Sequence, residues 1–191
     1  MQSIFLELII SPSFSKEALV ILQSKKNLRL LQMDVQRNKS TLKPTGIYGG
    51  MLLQDEDRAL PDFAEFKTVT KNTVDTGDLE ACMFLWKIVK HVKSNAIVVG
   101  NDLHTLGIGA GQMNRVQSAR IALEQAGEKA KGAILVSDAF IPMRDTVDLA
   151  AKFGIKTIVQ TGGSIRDEEV IQAANEHGIA MLFTGLRHFK H

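Results

Sequence analysis

The chain has one cysteine, Cys82, among 191 residues. A single thiol cannot close an internal disulfide or build a cysteine-rich zinc site. An excess of one charge is also missing: 23 Lys and Arg stand against 21 Asp and Glu, a net charge of +2 with no basic block. This argues against nucleic acid as a partner. No run of about 18 apolar residues occurs, so no membrane-spanning helix is expected. The start, Met1-Gln-Ser-Ile-Phe-Leu-Glu7, lacks the basic stretch and the small-residue cleavage site of a secretion signal. A cytoplasmic location is therefore expected. What remains is globular in composition, 45% hydrophobic and 23% charged, and long enough to bury a core.

The second half is the informative part. Ala96–Val99, Ala133–Val136 and Ile155–Gln160 are short, continuous apolar runs, the pattern of strands buried on both faces. Each is followed by a polar cluster. These are Leu106-Gly-Ile-Gly-Ala-Gly-Gln-Met-Asn-Arg115, Ser137-Asp-Ala-Phe-Ile-Pro-Met-Arg-Asp145 and Thr161-Gly-Gly-Ser-Ile-Arg-Asp167. Ligands of open α/β sheets gather beyond the carboxyl ends of strands. Three such clusters predict a polar ligand site.

The remaining pattern supports an α/β fold. Ile4–Ile10, Ser15–Gln23 and Leu28–Met33 read as strand, helix and strand, and Tyr48–Leu53 as another strand. Residues 1–53 form a first piece. Residues 54–78 have mixed polarity and no period, so they are read as a linker or long loop, ahead of a second piece, 79–191. Leu79, Cys82, Met83, Trp86 and Val89 recur at helical spacing, ending in Lys87, Lys90, His91 and Lys93, which suits the helix dipole. Helices are expected over Asn114–Ala126, Asp145–Phe153 and Ile165–His177, with a last strand at Ile179–Phe183. Ser164 and Asp167 have capping-box spacing. Helices between buried strands imply crossovers and a mixed, largely parallel sheet between two helical layers, a three-layer α/β/α fold.

Several motifs admit two explanations. Gly107, Gly109 and Gly111 are spaced G-x-G-x-G rather than G-x-G-x-x-G, so a glycine-flexed hairpin competes evenly with a ligand loop. Asp145 is either a helix N-cap or an acceptor for ligand N–H groups. Thr161–Ser164 is either a turn and cap or a place where backbone amides approach a ligand. The Arg187–His191 tail either frays or stacks Arg187 and Phe189 on an anionic heteroaromatic ligand. His91 and His177 fall near helix ends, where contact with the dipole is the simpler role. No zinc-hydrolase, zinc-deaminase, nucleophile-elbow or Walker motif is present.

Taken in order, Lys93-Ser-Asn-Ala-Ile97, Gly107–Val116, Ser137-Asp-Ala-Phe140, Arg144-Asp145, Gly162–Glu169 and Arg187–His191 resemble one family. It is AICAR transformylase, the formyltransferase portion of a bifunctional purine-biosynthesis protein. Glu7–Ser15, Lys25–Leu31 and Gly49–Asp55 resemble family segments too, so the likeness covers essentially the whole chain. The resemblance implies a cytidine-deaminase-like fold without zinc and a formyl transfer from 10-formyltetrahydrofolate to AICAR. It also implies that no metal is used and that a dimer completes the site. Asn95, Arg115, Phe140, Arg187 and Phe189 would contact AICAR, with Glu7 also near the nucleotide. Val116, Asp145, Ser164 and Ile165 would line the folate site. Asn95 and His191 would stand nearest the chemistry. The family's catalytic Lys-His pair lies in an earlier half, ahead of the position matching Met1, so this chain is expected to lack it. The expected protein is the carboxyl-terminal part, inactive alone, working as a homodimer or with its missing half. The alternative is a non-catalytic nucleotide-binding or assembly module. Ile141 and Met143 stand where the family has aromatic residues, and Thr161 where it has proline.

Overall fold

The computed structural model describes residues 5–34, 42–59 and 65–190. The chain divides into two compact units, Met1–Glu56 and Asp57–His191. In the first, β1 (Leu8–Ser11) and β2 (Arg29–Gln32) pair in parallel around α1 (Lys16–Leu22). Ser15 caps α1, its hydroxyl accepting from the Ala18 N–H at 3.1 Å. This β-α-β unit is the one expected. A hairpin follows, β3 (Leu42–Ile47) against β4 (Gly50–Asp55). Only its second strand was expected; Pro44 and Gly46 hide the first from a propensity argument.

The second unit holds a six-stranded sheet ordered β5-β10-β9-β8-β6-β7. The strands are β5 (Lys67–Thr68), β6 (Ile97–Asn101), β7 (His104–Gly109), β8 (Ile134–Ser137), β9 (Thr157–Gln160) and β10 (Ala180–Phe183). Four helices accompany them: α2 (Leu79–Val89), α3 (Arg115–Ala126), α4 (Arg144–Lys152) and α5 (Asp167–Glu176). The sheet is less parallel than expected. Only β8, β9 and β10 run parallel, whereas β6 is antiparallel to both β8 and β7, and β5 to β10. The glycine-rich run causes this reversal. It turns back on β6 as a hairpin strand, and the α3 crossover then delivers β8 parallel to β7, on the far side of β6.

Strand alternation divides the core in two. Ile97, Val99, Leu135, Ile158 and Met181 face α3, α4 and α5, while Val98, Ile134, Val136, Val159 and Leu182 face α2. The three helix–sheet–helix layers agree with expectation. Gly107 and Gly109 lie where α3 crosses β7: a Cβ on either would sit 1.9 Å from a carbonyl oxygen, of Ala122 and of Ser118 respectively. These glycines therefore serve close helix–strand packing rather than a ligand loop.

Within the stretch read as a linker or long loop, residues 69–72 are hydrogen-bonded to this unit. Val69 N–H donates to Met181 O at 3.0 Å, Lys71 N–H to Asn175 Oδ1 at 2.8 Å, and Asn72 Nδ2 to Gly178 O at 2.7 Å. Among the described residues no helix is long and apolar enough to cross a membrane.

Candidate functional site

Opposed strand directions bring five segments to one edge of the sheet. β6 starts where β7, β8, β9 and β10 end, so Asn95, Gly109–Arg115, Asp138–Asp145, Thr161–Ile165 and Thr184–Lys190 lie along a common rim. The three clusters singled out in the sequence are thus neighbours in space.

Asp138, one residue past β8, organises the centre of the rim and is 1% exposed. Its carboxylate accepts from the Arg115 guanidinium, from the Ser94 hydroxyl and, at 3.3 Å, from the Ala96 N–H. Arg115 also donates to Ala96 O at 3.2 Å and to Asn95 Oδ1 at 3.0 Å. Asn95 in turn donates to Gln112 O at 2.9 Å, and its own carbonyl accepts from Ser118 Oγ at 2.7 Å. The two expected nucleotide contacts, Asn95 and Arg115, are therefore joined. Arg115 is 7% exposed with three of its five donors engaged.

The other expected residues fall as follows. Val116 is half-buried in the first turn of α3, which Asn114 caps by accepting from the Gln117 N–H at 2.9 Å. Phe140 is half-buried on the rim, whereas Ile141 is wholly buried and its N–H donates to Gln160 Oε1 at 2.8 Å. Ile141 therefore belongs to the core rather than to a ring-binding surface, and Met143 alone of the pair is exposed. Asp145 is not an N-cap. Met143 holds that position, and Asp145, exposed in the first turn of α4, accepts from the Thr146 N–H at 2.7 Å. Helix α5 begins at Asp167, two residues later than expected. The Asp167 carboxylate accepts from the Gly163 and Ser164 N–H groups at 2.7 and 3.1 Å, while Ser164 Oγ accepts from the Arg166 N–H at 3.2 Å. The expected capping pair thus exists, but as a brace for the turn before the helix. It leaves Ile165 fully exposed.

The tail is anchored rather than frayed. Past β10, Gly185 N–H donates to Thr161 O, His188 N–H to Asp138 O at 2.8 Å, and Ser94 N–H to Lys190 O at 2.9 Å. Arg187 and Phe189 point outward, the guanidinium carbon 5.2 Å from the ring centroid. His191 lies outside the described residues. Glu7 is exposed just ahead of β1, in the amino-terminal unit. An open cavity of about 700 Å³ lies beside the rim, where Gly162 and Gly163 approach Phe183 and Thr184. A Cβ on Gly162 would meet the Phe183 ring at 2.4 Å, and its φ of +70° independently favours glycine.

Two Lys-His dipeptides do stand in the chain, against expectation: Lys90-His91 and Lys190-His191. Lys90 Nζ is held by Ala59 O at 3.1 Å and Asp57 Oδ1 at 3.5 Å, and Lys190 Nζ by His91 O at 2.7 Å. Sequence reasoning passed over Asp138, Asp57 and His188. Asp138 alone had a readable signal, a carboxylate directly after a buried strand. Among the described residues no group of three or more His, Cys, Asp or Glu side chains could hold a metal.

The fold is that of a mixed α/β protein, a class in which ligands gather beyond the strand ends. The AICARFT/IMPCHase bienzyme family matches residues 1–125, and the chain belongs to that family. It is 57% identical over 191 residues to the bifunctional purine biosynthesis protein PurH of Listeria monocytogenes serotype 4b (strain CLIP80459). It is likewise 57% identical over 192 residues to PurH of Halalkalibacterium halodurans, and 56% over 192 residues to PurH of Bacillus thuringiensis (strain Al Hakam). All of this chain is covered each time, and it spans 38% of the length of these relatives. Among solved structures, Acinetobacter baumannii RibD is similar over 55% of this chain and 33% of its own, at a TM-score of 0.40 and 19% identity. That likeness is too slight to bear on fold or function.

Proposed function

We infer that this chain is the carboxyl-terminal part of the transformylase, binding AICAR and 10-formyltetrahydrofolate at the rim in purine biosynthesis. The observation that carries this is the meeting of Asn95, Arg115, Phe140, Asp145, Ser164 and Arg187 on one sheet edge, in a chain matching PurH from end to end. The cytidine-deaminase-like description of the fold and the cytoplasmic setting belong to the same proposal.

In the reaction, the 5-amino nitrogen of AICAR attacks the formyl carbon. A tetrahedral intermediate collapses with breakage of the bond to the folate nitrogen, and the amine proton ends on that nitrogen. Arg187 and Phe189 offer charge and a ring face to the nucleotide, while Asn95 and the remaining Arg115 donors orient it. Val116, Ser164 and Ile165 would line the folate, with the Asp145 carboxylate accepting pterin N–H groups. The proton transfer falls to the Lys-His pair of the family's earlier half. His191 would stand close by, and Glu7 near the nucleotide. A two-fold dimer, or association with that half, would complete the site.

The second reading, a binding or assembly module, is favoured by one observation. The described rim side chains bind and brace, and the one buried imidazole nearby, His188, is already committed to Asp57.

The test is transformylase turnover by the purified chain, alone and mixed with the remaining length of a PurH relative. No turnover alone and turnover in the mixture are expected. There, Asp145→Asn should weaken folate binding by ~1.5–3 kcal/mol with little change in melting temperature. Rapid turnover by the chain alone would overturn the division of labour. A mixture that binds AICAR without turnover would favour the second reading.

A further inference from the structure

His188 is the one inward-facing residue of the tail's last stretch. It is 1% exposed between exposed Arg187 and Phe189, the alternation of an extended chain. Its ring lies 4.2 Å from that of Trp86, tilted by 59°. Nδ1 is 2.5 Å from Asp57 Oδ2, whose other oxygen faces Lys90 Nζ at 3.5 Å. Its main-chain N–H donates to the carbonyl of Asp138, the residue whose carboxylate holds Arg115. One residue, through its ring and its main-chain N–H, therefore joins helix α2, Asp57, the end of β8 and the tail.

The protonation state follows from these partners. An ionised Asp57 can only accept, so the proton of a neutral ring sits on Nδ1. Nε2 is buried and, among the described residues, has no hydrogen-bond partner. A second proton there would create a buried donor with nothing to accept it, and a buried charge as well.

We propose that His188 is a positioning residue whose neutral ring docks the tail, holding Arg187 and Phe189 outward on the rim, and that protonation releases it. What Arg187 and Phe189 then do for a ligand rests on the function proposed above; the docking itself does not. The groups facing the ring are Asp57 and Asp138, which favour its cation, and Lys90, which opposes it. Burial outweighs them and holds the imidazole below its ordinary value. Asp57 also lies below its usual range: burial pushes it up, but the His188 hydrogen bond and the His188 and Lys90 charges more than offset this. Asp57 thus stays ionised across the range in which a released His188 takes up its proton. A released His188 takes up its proton near pH ~6.5, before the docked one does. Docking is therefore complete above that pH and weakens as pH falls toward the lower, docked value.

Amide hydrogen exchange in the full chain tests this, because it reads tail opening however rare the opening is. From pH 7.5 to 5.5, after correction for intrinsic rates, protection of the amide at position 188 should fall by up to about tenfold. The Ser94 amide, which donates to Lys190 O, should fall with it, and core amides of β8 should not. His188→Phe keeps an aromatic ring on Trp86 but cannot titrate, so its tail protection should be level across this range. His188→Ala should lose tail protection at every pH. Wild-type protection that does not change with pH, or the same fall in His188→Phe, overturns the proposal. So does His188→Ala with wild-type protection. AICAR titration at pH 7.5 adds an independent arm, with at least tenfold weaker binding expected for His188→Ala. If the wild-type chain, mixed with the rest of a PurH relative, does not bind AICAR, the proposed function fails, while tail protection still decides the docking.

Discussion

Arg115 and Asp138 form an ion pair whose side chains are 6% and 1% exposed. Such a pair adds little net stability over an apolar substitute, but removing one partner strands a buried charge. Asp138→Asn preserves shape but exchanges one acceptor oxygen for an NH2 donor and leaves the guanidinium uncompensated. It should destabilise the carboxyl-terminal unit by roughly 3–5 kcal/mol, read as the shift of the urea midpoint at unchanged slope. The contrast is Asp148→Asn. Its partner Arg144 is 40% exposed and Asp148 itself 32%, so the loss should stay below about 1 kcal/mol. Equal losses in the two variants would mean that burial at Asp138 has no special consequence.

Between elements, the contact most sensitive to volume is α3 on β7. Two carbonyls of α3 occupy the space that side chains would take at Gly107 and Gly109. Gly107→Ala must displace the helix. A loss of about 1–3 kcal/mol or more is expected in thermal unfolding, as for overpacking in general. Gly77→Ala is the control, since a Cβ there meets nothing within 4 Å. It should be neutral or stabilising by up to ~1 kcal/mol. If Gly107→Ala were as benign as Gly77→Ala, the tight helix–strand approach would not hold. The same approach explains why the glycine run could not be resolved from sequence. Spacing alone does not separate a glycine that yields to a ligand from one that yields to a helix carbonyl.

At the scale of the molecule, apolar surface is divided unevenly between the units. The carboxyl-terminal unit buries its large aliphatic residues on both faces of the sheet. The amino-terminal unit leaves Phe5, Val20, Tyr48, Met51 and Leu53 exposed, and neither strand of its hairpin buries a residue. Patches of this kind find a partner or aggregate. The purified chain should therefore self-associate, with a closed two-fold dimer the simplest arrangement. Light scattering across micromolar concentrations checks this; a monomer throughout would count against it. Adding the remaining length of a PurH relative should replace self-association with a mixed assembly.

Much of this architecture was legible in the residues themselves. Short apolar runs such as Ala133–Val136 read as strands buried on both faces, as β8 is, and apolar spacing set the helices to within a residue or two. The likeness to the family was likewise carried by local motifs. Local pattern could not decide strand direction, because the hairpin that reverses β6 depends on α3 lying against Gly107 and Gly109. Nor could it show that Asp138 gathers Arg115, Ser94 and the tail, or that His188 turns inward onto Trp86 and Asp57. Those contacts join residues 44, 23, 50, 102 and 131 positions apart. The amino-acid order therefore determined the elements and the family, whereas the meeting of distant polar groups arose only when the folded sheet brought its strand ends to one edge.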